Sequence, residues 1–376
     1  MRLTRYIIIV LLLVTSCSVK GLGESQQKTY ALALWDESGK VLLIGLADDS
    51  KVVDLTAVLS GPLEYGLLSW SPDGRQVVFV SNRDGNREIY SIDLETRTLV
   101  NITKNPAADV TPSWSPDGRY IAFISDRDYC SVDRILPDQD CIFRHGEIYV
   151  MKRDGSDVQR ITNTEVSECG ATWWPDSKRL IYSVSCSLLH EPTEIYTIDL
   201  KGGHPAQMTD SSKVPVKQHY AYNLGPQPSP DGRNILFYSF RDDDREMYLM
   251  NPDGSGQVRL TNMAGLELGA TWSPDSSSIT WEHEGEILVI DVKTREIVPT
   301  GTRELSACQP HWLPSGQKIV FVANCGFGGN GPHDFIYIMN RDGSDKVRLA
   351  AQLNRKQLGI IAWVPSEWMK IGTPFN

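Results

Sequence analysis

One five-residue phrase returns seven times along this chain, and its spacing constrains the fold more than any other feature. The copies are Trp70-Ser-Pro-Asp-Gly, Trp114-Ser-Pro-Asp-Gly, Trp173-Trp-Pro-Asp-Ser, Pro228-Ser-Pro-Asp-Gly, Trp272-Ser-Pro-Asp-Ser, Trp312-Leu-Pro-Ser-Gly and Trp363-Val-Pro-Ser-Glu, lying 40 to 59 residues apart. A period of that length means one supersecondary unit built many times and stacked on itself.

A second landmark runs at the same period. An Ile-Tyr-like pair follows each phrase, and 13 residues after that pair begins comes an Ile/Leu-Thr-like pair, as in Ile89-Tyr90 with Ile102-Thr103 and Ile195-Tyr196 with Met208-Thr209. The fifth copy, starting at Ile287, loses the second landmark. Between landmarks, stretches such as Val77-Val78-Phe79-Val80 are rich in β-branched and aromatic types and read as strands. Pro-Asp-Gly and Arg-Asp-Gly suit the tight turns between them, because Pro presets φ and Gly accepts positive φ.

Each unit therefore reads as four short antiparallel strands, and such units repeated around an axis make a β-propeller. The seventh phrase, at Trp363, has only its first strand before Asn376, while the amino-terminal stretch supplies Leu42-Leu43 and Leu55-Thr56. The expectation is an all-β, seven-bladed propeller whose last blade is closed by strands from both chain ends, with Leu42 near Trp363. A six-bladed ring with an irregular appendage is the alternative. Pairing the termini removes exposed strand edges.

The pattern resembles the TolB-type propeller repeat, with its Trp-Ser-Pro-Asp-Gly turn and Ile-Tyr-x-Met/Ile-Asp strand, over roughly residues 29 to 368. The chain departs from TolB itself in lacking that protein's amino-terminal α/β domain and in an expected blade count of seven, not six. Partner binding by the TolB ring carries over only as an analogy, since a fold does not decide function.

Residues 1–16 read as a leader: Arg2 and Arg5, then the apolar run from Tyr6 to Val14, too short to span a bilayer as a settled helix. Val14-Thr15-Ser16-Cys17 resembles a lipobox, which implies acylation of Cys17, residues 17–28 as a tether and 29–376 as the propeller. An ordinary secretion signal with a chance cysteine is the alternative. A diacylglycerol-modified cysteine supplies the more-than-one acyl chain that stable anchoring needs, so the expected location is exported and held at a bacterial membrane, in the periplasm or at the cell surface. The net charge of -10 argues against nucleic acid as a partner.

Six cysteines remain after Cys17. Cys169 and Cys186 lie 17 apart, as do Cys308 and Cys325, and each first member sits four residues before a blade tryptophan. The expected disulfides are Cys169–Cys186, Cys308–Cys325 and, closing an inserted loop, Cys130–Cys141, each contributing about 2 to 4 kcal/mol. Free buried thiols are the alternative.

In blade topology the Asp-Gly turns fall on one side of the ring, while the second-to-third-strand loops and the interblade links fall on the other. All the irregularity is on that second side: the insertion 126–146, the stretch Lys217 to Tyr222, Arg241 to Arg245 and Gly326 to Asp334. Elaborated loops on a rigid scaffold are where binding is usually placed, so the candidate contact residues are Arg144, His145, His219, Tyr220, Tyr222, Arg241, Arg245, Phe327 and His333. Asp242, Asp243 and Asp244 could hold a structural calcium ion, although a solvated acidic loop explains them as well. His190, His219, His283, His311 and His333 could converge as metal ligands, or stand as single surface histidines. No cofactor is otherwise expected.

The sequence holds no G-x-S-x-G elbow, H-E-x-x-H, P-loop or C-x-x-C, and Gly326 to Gly331 matches G-x-G-x-x-G without opening a helix. No hydrolase half is expected after the last blade. The reading is a monomeric, anchored propeller that binds a protein, peptide or glycan. The alternative is a polysaccharide lyase or glycosidase using His219, His311 or His333.

Overall fold

The structure, a computed structural model, describes residues 30–35, 41–45, 52–54 and 68–365 except 130–144, 165, 185–192, 202, 214–221, 243, 265–266, 326–334 and 350–358. From Leu68 to Leu349, 24 consecutive strands form six four-stranded sheets, every neighbouring pair antiparallel and every sheet local in sequence. The first comprises Leu68–Trp70, Gln76–Ser81, Glu88–Asp93 and Thr98–Asn101, from the inner edge outward. A further four-stranded sheet joins the chain ends in the order Gly359–Pro365, Tyr30–Trp35, Val41–Gly45, Val52–Asp54.

That terminal sheet closes the ring. Leu32 is the Cα partner of Trp363 and Leu34 that of Leu42, so the two ends of the chain share one hydrogen-bonded ladder. Its carboxy-terminal strand lies beside the inner strands Cys308–Trp312 and Leu68–Trp70 of the sheets on either side. The molecule is the expected all-β propeller.

Its core lies between sheets. One cluster joins Ile148 and Val150 of the second blade to Trp173, Leu180 and Tyr182 of the third, and another joins Leu236 and Tyr238 of the fourth to Trp272, Ile279 and Trp281 of the fifth. A strand covered on both faces need not alternate, which is why the second strand of the first blade carries a continuous apolar run from Val77 to Val80, all buried.

The repeated phrase builds the joint between one inner strand and the next. In the first blade Ser71 Oγ donates to Asp73 Oδ1 at 2.6 Å and accepts the Gln76 N–H at 2.9 Å, while Gly74 sits at φ 72°. Trp173, Trp272 and Trp312 each donate their indole N–H to a main-chain carbonyl of the preceding inner strand, at Ser113, Gln227 and Thr271. Where serine replaces the glycine, at Ser177 and Ser276, it keeps positive φ, and its hydroxyl accepts the N–H of Asp117 or Asp231 from the preceding blade.

The second landmark also has a physical cause. Thr103, Thr162, Thr209 and Thr261 each accept, through Oγ1, the N–H of Ile89, Ile148, Ile195 or Met247 at 2.8 to 3.0 Å. This pins the end of each outer strand to the start of the third strand. The fifth blade, expected to have lost the landmark, keeps it one residue later: Thr302 Oγ1 accepts the Ile287 N–H at 2.8 Å.

Candidate functional site

The turn-bearing face is nearly the same in every blade, whereas the loop-bearing face is built from charged cassettes that vary. In the first, second and fourth blades the second strand runs into Ser-x-Arg-Asp, at Ser81/Arg83/Asp84, Ser125/Arg127/Asp128 and Ser239/Arg241/Asp242. In all three, arginine Nε donates to the serine hydroxyl at 2.9 Å. The guanidinium lies 4.5, 4.8 and 4.6 Å from the ring centres of Tyr90, Tyr149 and Tyr248. Each tyrosine hydroxyl donates to the aspartate of its own cassette. Burial, and then this bond to Asp84, push the Tyr90 phenol up to about 12.

The second and fourth blades add another arginine from the outer strand. Arg160 bridges Asp128 at 2.9 Å and the buried Glu147 at 2.8 Å, and Arg259 bridges Asp242 at 3.4 Å and the buried Glu246. Arg127 also reaches the fully buried Asp109 at 2.9 Å. Burial still raises the Asp109 carboxyl above its usual range, with Arg127 opposing.

The third strand of the first five blades carries glutamate at its start or, in the fourth, two residues in: Glu88, Glu147, Glu194, Glu246 and Glu286. These carboxylates accept main-chain N–H groups from the link to the next blade, at Asn105, Thr164, Ser211, Met263 and Gly301. Glu147 and Glu246 meet Glu168 and Glu267, at the start of the next inner strand. Burial first, then the neighbouring carboxylate, push Glu168 and Glu267 each up to about 8.

Several contact residues expected from the sequence are parts of this frame. Arg241 is 8% exposed and donates to Ser239, Gln257 and Asn223. Arg245 crosses to the next blade, donating to the Glu267 carbonyl and covering the Tyr238 ring at 4.6 Å. Asp242 is engaged by Tyr248 and Arg259, which leaves it poorly placed as a calcium ligand. Asp244 opposes Asp242 across the hairpin, and Asp243 lies outside the described residues. Tyr222 packs edge-on against Phe240, with ring centres 5.9 Å apart.

His145 is exposed and stacks on Tyr129 with ring centres 5.4 Å apart, and the Arg160 guanidinium lies over the Tyr129 ring, 5.2 Å from its centre. Sequence reasoning missed Tyr129, although its place at the foot of the longest insertion was a usable signal. Cys308 and Cys325 form the expected disulfide, Cα atoms 6.0 Å apart. Cys17, Cys130, Cys141, Arg144, Cys186, His190, His219, Tyr220, Phe327 and His333 lie outside the described residues. Cys169 lies in the inner strand Glu168–Trp173. His283 is buried, and burial lowers the His311 imidazole. Among the described residues no three His, Cys, Asp or Glu side chains gather as a metal site.

Fold and repeated turn together define a β-propeller whose repeat is similar to the TolB type. The family model described as TolB beta propeller domain matches residues 48–131. A curated relative, the uncharacterized protein Atu1656 of Agrobacterium fabrum, is 26% identical over 172 residues, a match covering 44% of this chain and 56% of that protein. The chain thus spans little more than half the length of that relative. Among solved structures, an oligogalacturonate lyase from Vibrio parahaemolyticus is similar with TM-score 0.58 and 15% identity, covering 82% of this chain and 90% of that one. A puromycin-hydrolyzing peptidase of Mycobacterium tuberculosis is similar with TM-score 0.59 and 13% identity, covering 88% of this chain and 54% of that one. At such identities the likeness is one of fold.

Proposed function

We propose that this protein is an exported propeller, anchored through acylated Cys17, that binds a protein, peptide or glycan on its loop-bearing face. The carrying observation is the contrast between the two faces. On the turn side, Ser71/Asp73, Ser115/Asp117, Ser229/Asp231 and Ser273/Asp275 repeat one hydrogen bond within the turn. On the loop side, paired arginines, tyrosines and carboxylates form a stiff base under loops of unequal length.

The described part of that face presents Tyr129 and His145 as a stacked, exposed pair beside the Arg160 cation. Flat rings with a neighbouring guanidinium suit sugar faces and peptide side chains alike. The Cys308–Cys325 disulfide supports an oxidising compartment.

Crosslinking in intact membranes followed by mass spectrometry tests the reading. Tyr129→Ala with His145→Ala should reduce capture of the enriched partner at least tenfold while leaving the thermal midpoint within about 3 °C. Unchanged capture refutes this surface, and release of oligosaccharides by the wild-type chain would replace a binder with a polysaccharide-cleaving enzyme.

A further inference from the structure

Four joints between blades share one position, the first residue of an inner strand, and at three of them that residue meets the glutamate near the start of the preceding blade's third strand. Asn223, Glu168, Glu267 and Asp109 occupy this position, each two residues before a positive-φ bulge residue: Gly225, Gly170, Gly269 and Thr111. At the third-to-fourth joint the arrangement is complete, because Asn223 Nδ2 donates to Glu194 Oε2 at 3.0 Å. Asp109 leaves the pattern, its carboxylate turning to Arg127 at 2.9 Å.

The other two joints set an acid where asparagine supplied a donor. Glu147, Glu168, Glu246 and Glu267 are all buried, from 0 to 3% exposed. Glu147 Oε2, Glu168 Oε2, Glu246 Oε2 and both oxygens of Glu267 are buried with no donor assigned to them. Two buried carboxylates side by side repel and lose hydration, and one proton between them relieves both costs.

We propose that Glu147 with Glu168, and Glu246 with Glu267, each hold one shared proton, making these two joints pH-sensitive seams beneath the loop-bearing face. The protonated Glu168 or Glu267 then does what Asn223 does, donating across the joint to a carboxylate fixed from its other side.

The surroundings are consistent with one proton per pair. Glu147 is held by Arg160 and by the Thr164 N–H, and Glu168 Oε1 accepts the Thr164 hydroxyl, with Thr162 and the buried Tyr182 phenol as its further neighbours. Glu246 is held by Arg259 and the Met263 N–H. Glu267 faces Glu246, Thr261 and Arg245, and stands opposite His283 on the neighbouring strand. Arg245 spends its N–H groups on the Glu267 main-chain carbonyl and is shared electrostatically with Glu282. Each pair thus has one guanidinium bonded to one of its two carboxylates.

The sign follows from linkage. In the unfolded chain these glutamates ionise near their usual value, while folded Glu168 and Glu267 keep the proton to about 8. The folded state binds more protons in between, so stability falls as pH rises through that window and levels off above it.

The test is chemical unfolding of the full chain at pH 5 to 9, comparing wild type with Glu168→Gln, Glu267→Gln and the double variant. Glutamine copies the neutral acid and the Asn223 amide. Each substitution should remove a factor of about ten per pH unit from the pH dependence of the folding equilibrium. Equal slopes in wild type and double variant overturn the proposal. Infrared spectra of the wild type, which need no variant, should show a protonated-carboxyl stretch at pH 7 that disappears above pH 9. Its absence at pH 7 would also overturn it.

Discussion

Replacing Thr209 by valine tests whether the threonine landmark is a pin or only a strand-forming residue. Thr209 is 1% exposed, accepts the Ile195 N–H at 2.9 Å and donates to Glu194 Oε2 at 2.6 Å. Valine has nearly the same shape and makes neither bond. An orphaned buried N–H costs about 1 to 3 kcal/mol, and a lost hydrogen bond to a charged group about 1.5 to 3. Glu194 keeps the Ser211 N–H at 2.6 Å and Asn223 at 3.0 Å, which holds the second loss at its lower end. The extra methyl returns about 0.8 kcal/mol. The net is a destabilisation of about 2 to 3 kcal/mol. Thr209→Ser keeps the hydroxyl and drops only a methyl, so it should cost about 1 kcal/mol. Urea unfolding of the three proteins gives the difference, and amide hydrogen exchange should locate it at Ile195. If valine proves no worse than serine, or Ile195 exchanges no faster, the landmark is not a pin.

Gly155→Ala should cost at least about 2 kcal/mol, because φ is +84° and a Cβ would meet the Ile102 carbonyl oxygen at 2.5 Å. Gly301→Ala, at φ +65° with only the tip of Lys346 at 3.9 Å, should cost about 1 to 2 kcal/mol, so equal midpoints would refute the packing argument. We also expect a Cys169–Cys186 disulfide: Cys169 opposes Ser183, three residues before Cys186, as Cys308 opposes Val322, three before Cys325. Peptide mapping without reduction checks it, and free thiols at both positions would refute it.

The frame was legible because its chemistry is local and repeated. Trp-Ser-Pro-Asp-Gly spells a turn whose serine and aspartate bond within five residues, so the motif carries its own geometry. Ile-Tyr and Leu-Thr show as landmarks because the Thr261–Met247 pin spans a fixed interval. The fifth blade escaped since Gly301 lengthens that interval by one, and a rigid count cannot see a tolerated insertion. The site was less legible for the opposite reason. Arg241 reads as a loop cation, and only the Tyr248 ring, Ser239 and Asn223, distributed over three strands, turn it into a buried support.

The same distinction explains why the carboxyl pairs fall where they do. Turn-face positions are constrained twice, within the turn and by the serine or glycine of the next blade, so an acid there must match the Asp73 pattern. The residue opening an inner strand is held less tightly: Asn223 accepts from Arg241 of its own blade, and across the joint the Glu194 carboxylate asks only for a donor. Asn223 supplies an amide at every pH. A protonated glutamic acid supplies the same bond only while it keeps its proton, so exchanging Asn for Glu at this position leaves the ring intact at neutral pH and makes the joint conditional. The seams follow from which blades carry the exchange, and moving them should need no more than Asn223→Glu, which is predicted to add a third pH-dependent joint between Glu194 and its new neighbour.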